Sequence, residues 1–158
     1  MTRRPLLALL CTLGLAAKTG RAQTTAAPKI EPLRLADAEW KKRLAPAAYD
    51  VLRHEGTERP GSSPLNDEHR KGRFVCAGCD LPLFTSDTKF DSGTGWPSFY
   101  ASIPGAVAMK TDHKMIVPRT EYHCVRCGGH QGHVFDDGPK PTGKRYCNNG
   151  VALKFVPA

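Results

Sequence analysis

The segment from Gly128 to Gly150, GGHQGHVFDDGPKPTGKRYCNNG, brings two histidines, a pair of acids, an arginine and one cysteine into 23 residues. A thiol becomes a nucleophile when cationic or hydrogen-bonding neighbours favour its thiolate, and a histidine beside it can carry the proton. Cys147 has Arg145 two residues before it, with His130 and His133 upstream, and these are expected to lower its pKa. Tyr146, Asn148 and Asn149 give it polar company that argues against a cysteine used as buried filler. Past the first 22 residues, Cys147 is the only cysteine outside a CxxC pair.

The other four cysteines form Cys76-Ala77-Gly78-Cys79 and Cys124-Val125-Arg126-Cys127. Each CxxC turn brings two sulfurs to one side of a tight knuckle, and two knuckles complete a tetrahedral four-cysteine zinc site. Protein fills all four positions, so such a metal is structural. Gly78 and the Gly128-Gly129 pair are expected to let the backbone fold around the sulfurs. Two disulfides are the alternative for an exported chain. A redox CxxC is disfavoured because neither pair opens a helix. The pairs stand 44 residues apart, so a metal would clamp distant parts of one domain.

Gly93-Thr94-Gly95-Trp96-Pro97 reads as an exposed bend that delivers an indole. Trp96 suits either the core or a site that holds a methyl or thioether group, and the residues alone leave both open. His130 and His133 could also serve a second metal, although further ligands are lacking.

The elements that must position these groups are short. Asp37 is expected to cap a helix from Ala38 to Leu44, and Pro46 to open a second one to about His54, closed by Gly56. Gly56 is followed by a polar loop from Thr57 to Gly72. Short apolar runs then predict strands at Phe74-Val75, Leu83-Phe84, 107–109, 115–117, 121–125, 133–135, 145–148 and 151–156. The expected class is mainly β: two antiparallel sheets of short strands with a small N-terminal helical segment, in one domain over 37–158.

Residues 1–22 have the layout of an export signal, with Arg3-Arg4 ahead of an apolar run from Leu6 to Ala17. Its opening resembles the twin-arginine type, an ordinary secretory signal being the alternative. Export to a bacterial periplasm is expected, with 23–36 as a flexible linker. The run is too short for a stable membrane span. The leader carries four basic and no acidic side chains, so the formal +8 of the 158-residue chain falls to +4 without it. Basic residues do not interleave with aromatics, which speaks against nucleic-acid binding.

Taken together, KFDSGTGWPSF, the two CxxC pairs, GGHQGHVFDDGP and TGKRYCNNG resemble the methionine-R-sulfoxide reductases, the B class, from about Tyr49 to Phe155. The resemblance implies two antiparallel sheets, a structural zinc on Cys76, Cys79, Cys124 and Cys127, and reduction of the R epimer of methionine sulfoxide, chiefly in oxidised proteins and peptides. It implies Cys147 as nucleophile, His130 and His133 on the sulfoxide oxygen, Asp137 and Asn149 orienting that network, Arg145 favouring the thiolate, and Trp96 receiving the S-methyl group. Thr94 stands where many members have a resolving cysteine, which implies an external reductant: a thioredoxin-like protein or a small thiol. Gln131, Asn148 and Gly150 also depart from the usual residues, leucine, isoleucine and serine. A monomer is expected. The rival readings are a zinc-stabilised binding module without turnover and a zinc hydrolase built on the two histidines.

Overall fold

The computed structural model describes residues 30–158, so the expected leader and the first part of the expected linker lie outside the described residues. Two helices lead, α1 (Asp37–Arg43) and α2 (Pro46–His54). Nine strands follow among the described residues: β1 (Gly72–Cys76), β2 (Pro82–Thr85), β3 (Lys89–Phe90), β4 (Ser98–Phe99), β5 (Val107–Asp112), β6 (Arg119–Cys124), β7 (His130–Phe135), β8 (Arg145–Asn148) and β9 (Leu153–Pro157). They make two antiparallel sheets, as expected, of order β2-β1-β9 and β3-β4-β8-β7-β6-β5.

The inner faces meet over a core of aromatics. Phe84 stacks on Phe99 with ring centroids 4.2 Å apart, and Phe74, Tyr122 and Tyr146 abut that pair edge-on. Trp40 of α1 and Val51 and Leu52 of α2 are buried beneath the same cluster, which explains why two short helices hold their place. Ahead of α1, the extended residues 30–36 also lie against the protein. Leu33 donates its backbone N–H to the Arg126 carbonyl, and Leu33 and Leu35 pack on the core.

Several expectations are corrected. Asp37 is the first helical residue, and Ala36 is the cap. The left-handed residue that ends α2 is Glu55, at φ 58°, one position before Gly56. The expected strand at 115–117 is the tip of the β5–β6 hairpin, because the ladder closes at Asp112 opposite Arg119. Three apolar residues with no neighbouring strand, followed by a proline that cannot donate, have nothing to pair with. Conversely, the two-residue strands β3 and β4 carry no sequence signal of their own.

Both CxxC knuckles turn through a left-handed residue four positions after their first cysteine. In the first it is Asp80 (φ 60°) and not Gly78; in the second it is Gly128 (φ 69°). Gly129 answers a different need, close approach: a Cβ there would meet Leu52 Cδ2 at 2.8 Å. The helix α2 thus lies directly over the second knuckle, and Arg53 donates to the Cys127 carbonyl at 3.0 Å.

Candidate active site

Strand β8 sits in the middle of the six-stranded sheet, and its alternation sends Arg145 and Cys147 to one face and Tyr146 and Asn148 to the other. Tyr146 joins the core, and Asn148 Oδ1 accepts a buried hydrogen bond from the Tyr122 hydroxyl at 2.7 Å. The register then sets the neighbours of Cys147. Ser98 on β4, Cys147 on β8, His133 on β7, Glu121 on β6 and Lys110 on β5 stand directly opposite one another in succession. A hydroxyl, a thiol, an imidazole, a carboxylate and an ammonium therefore form one row across the sheet.

His130 joins this row through an irregularity. Two histidines three residues apart on a regular strand would face opposite ways. In β7 the pairing steps from Gly132 opposite Tyr122 to His130 opposite His123, leaving Gln131 as an extra residue. The bulge brings the two imidazoles together, with centroids 5.4 Å apart. It also sends the Gln131 side chain inward, fully buried, where its Nε2 donates to Cys76 Sγ at 3.4 Å.

The carboxylates that hold the histidines are Glu121 and Asp112, which the sequence reading did not single out. Glu121 Oε1 lies 2.7 Å from His130 Nδ1, and its Oε2 3.0 Å from His123 Nδ1. Burial raises the Glu121 carboxyl, but the bonds to His130 and His123 outweigh it and hold its pKa below the ordinary value. With Nδ1 engaged, His130 Nε2 is buried without a protein partner. His133 Nε2 lies 2.7 Å from Asp112 Oδ2, which also accepts from Arg119 at 2.7 Å. Desolvation depresses the pKa of His133 despite that carboxylate. The usable signal was alternation: Arg119, Glu121 and His123 share one face of β6.

The residues expected to orient the histidines do other work. Asp137 makes a bidentate pair with Arg145, both contacts 2.8 Å, and Arg145 lies 4.3 Å above the Phe135 ring. Asn149 accepts from Glu58 N–H and donates to the Gln131 carbonyl, each at 3.0 Å, and touches neither imidazole. Glu58 ties this region together: its carbonyl accepts from Trp96 Nε1 at 3.2 Å and its carboxylate accepts from Gly150 and Val151 N–H. Thr94 Oγ1 lies 2.8 Å from Ser92 Oγ, which lies 2.8 Å from Ser98 Oγ.

A cavity of about 140 Å³ opens between these groups, lined by Trp96, Arg119, Gly132, His133, Cys147 and Asn149 among others. Gly132 must be glycine here, since a Cβ would lie 1.9 Å from the Cys147 carbonyl oxygen. Trp96 thus lies beside the thiol and not in the core, while His130 sits behind His133, almost fully buried. Burial pushes the Cys147 thiol up, outweighing the Arg145 charge and the hydrogen bonds of Thr94 and Arg145 that pull it down. This reverses the expected lowering, and the histidines, turned to their carboxylates, do not contribute. Because the thiolate fraction rises with pH toward that raised value, iodoacetamide should label Cys147 slowly at pH 7 and progressively faster into the alkaline range. Mass measurement over a pH series checks this; labelling already at its plateau at pH 7 would contradict it.

Cys76, Cys79, Cys124 and Cys127 are buried and unbridged, with all four sulfurs within 4.8 Å of one another. The closest contacts, Cys76–Cys127 at 3.6 Å and Cys79–Cys124 at 3.5 Å, run between knuckles and far exceed a sulfur–sulfur bond. A tetrahedral ion with bonds of about 2.3 Å spaces its sulfurs about 3.8 Å apart, so the set fits a structural metal. Among the described residues this is the only such cluster, and the histidines belong to none.

A family model described as the SelR domain matches residues 44–157. Three relatives illustrate the likeness. The peptide methionine sulfoxide reductase MsrB of Agrobacterium fabrum is 52% identical over 122 residues, 77% of this chain and 90% of the relative. The protein of that name from Methanosarcina barkeri is 56% identical over 120 residues, 75% of this chain and 84% of the relative. The chloroplastic peptide methionine sulfoxide reductase B1 of Arabidopsis thaliana is 52% identical over 130 residues, 82% and 64% of the two chains.

Proposed function

This chain belongs to the SelR-domain family of MsrB peptide methionine sulfoxide reductases, and on that premise we propose how its residues perform the reaction. It is a peptide-methionine (R)-S-oxide reductase. The substrate's S-methyl group rests on Trp96, and the Cys147 thiolate attacks the sulfoxide sulfur. The sulfoxide oxygen passes to Cys147 as a sulfenic acid, so the substrate sulfur gains two electrons and the cysteine sulfur loses them. His133, and His130 behind it, hold and deliver protons to that oxygen, their rings fixed by Asp112 and Glu121. Arg145, itself fixed by Asp137, favours the thiolate. Asn149 acts at one remove, pinning Glu58 and hence Trp96.

Thr94 has no thiol to resolve the sulfenic acid. An external thiol, from a thioredoxin-like protein or a small molecule, therefore forms a mixed disulfide with Cys147 and releases water; a second thiol restores Cys147. The four-cysteine site holds zinc as a structural ion, and it takes no part in these steps. The layout of residues 1–22 supports export to a periplasm, where oxidised proteins would be the substrates. No helix among the described residues is long and apolar enough to cross a membrane. We take the working form to be a monomer.

The observation that carries this reading is Cys147 lining a small cavity together with Trp96 and a carboxylate-held His133. Turnover of separated R and S methionine sulfoxide with dithiothreitol tests it. R-selective reduction is expected, a preference for S would sink the assignment, and binding without turnover would favour the binding-module alternative.

A further inference from the structure

We propose that the exposed tip of the β5–β6 hairpin is the surface on which the enzyme seats the polypeptide around the oxidised methionine, favouring apolar flanking residues. The proposal rests on the reductase reading. Met115, Ile116 and Val117 are 59%, 103% and 72% exposed, three consecutive apolar side chains turned to solvent. A contiguous exposed apolar run is a candidate contact surface. Glu55, in the left-handed cap of α2, anchors the hairpin that bears it: its carboxylate pairs with Lys110 on β5 at 2.5 Å and with Lys114 in the tip at 2.7 Å.

The tip is continuous with the reaction site. The hairpin closes on the Asp112–Arg119 pair; Asp112 holds His133, and Arg119 lines the cavity that contains Cys147. A cavity of about 140 Å³ admits little more than one side chain, so the residues on either side of the sulfoxide must rest on its rim. Val117 and Ile116 stand two and three residues before Arg119 in the chain. Charge narrows the class of occupant. Lys110 and Lys114 share the single Glu55 carboxylate and Arg119 pairs with Asp112, so the cations stand at the base of the hairpin tip while Met115, Ile116 and Val117 form an apolar run beyond them. Three adjoining exposed apolar side chains are covered by an apolar peptide segment and not by an acidic one or a lipid headgroup. Such segments are what a partly unfolded, oxidised protein exposes.

The test compares the full chain with Ile116→Ser/Val117→Ser on three R-sulfoxide substrates: N-acetyl-methionine sulfoxide, and two pentapeptides with the sulfoxide flanked by leucines or by serines. In the double variant, kcat/KM for the leucine-flanked peptide should fall about tenfold, carried by KM, because apolar area is lost from the contact. The acetylated amino acid and the serine-flanked peptide should be unchanged, and Ile116→Val should behave as the parent chain. Equal kinetics on all three substrates, or equal loss on all three, would overturn the proposal. So would unchanged peptide kinetics together with loss of self-association in sedimentation, or loss of binding to phosphatidylglycerol vesicles. Failure of the reductase reading itself would look different: the unaltered chain would not reduce the acetylated amino acid.

Discussion

Cys147→Ser should abolish sulfoxide reduction, by at least about a thousandfold, while leaving the fold intact. Serine matches cysteine closely in size, and Cys147 is only half-buried in the wall of a small cavity, so the change in stability should stay within about 1 kcal/mol. What is lost is the atom that accepts oxygen: a hydroxyl at this site has no base close enough in pKa to make it an alkoxide, whereas the thiol can ionise beside Arg145. The companion measurement uses the parent chain with one equivalent of R-sulfoxide and no reductant. The oxidised protein should gain about 16 Da, one oxygen on a sulfenic acid, and should react with dimedone. A loss of two hydrogens, signalling an internal disulfide to Cys147, would refute the single-cysteine cycle.

Loss of the metal clamp should cost more in stability than any other single change. In Cys124→Ser, three thiols remain where the tetrahedral site is built from four, and the variant should lose its metal stoichiometry together with its cooperative melt. Structural zinc contributes on the order of 10 kcal/mol to small domains, so a drop in Tm beyond about 15 °C, or failure to fold, is expected. The location explains the size of the effect. The first knuckle follows β1 of the smaller sheet and the second joins β6 to β7 of the larger one, with Trp40, Leu52 and Arg53 laid over them. Elemental analysis should find one ion per chain. A variant that melts with the parent chain would show that the cysteines need no metal.

These two sites were legible from the sequence because residue type and spacing carry them. Cys147 stood out by lacking a partner, and the four others by their pairing. What the sequence hid was register. Asp112 lies 21 residues before His133 and Glu121 lies 9 before His130, and only the alignment of β5, β6 and β7 sets each carboxylate against its imidazole. The same holds for Asp137 and Asn149: the resemblance implied that they orient the histidines, but Asp137 pairs with Arg145 and Asn149 bonds to Glu58 and Gln131. Met115 to Val117 has strand-forming residues without a neighbour, and local propensity cannot reveal that a ladder ends three residues earlier. The rise in the Cys147 thiol pKa was likewise invisible, since charge can be counted in a sequence and desolvation cannot.

The extra residue in β7 has a consequence for how this protein can vary. Gln131 works as a shift of half a period: it puts His130 in phase with His133, and its carbonyl accepts from both the backbone and the side chain of Asn149. Phase depends on how many residues lie between the histidines and not on which ones they are. Substitution at position 131 can therefore be absorbed by repacking beside Cys76, whereas removal of that residue would leave the histidines two apart on a regular strand, still on one face but without the carbonyl that holds Asn149. What the site keeps from position 131 is its backbone carbonyl more than its side chain.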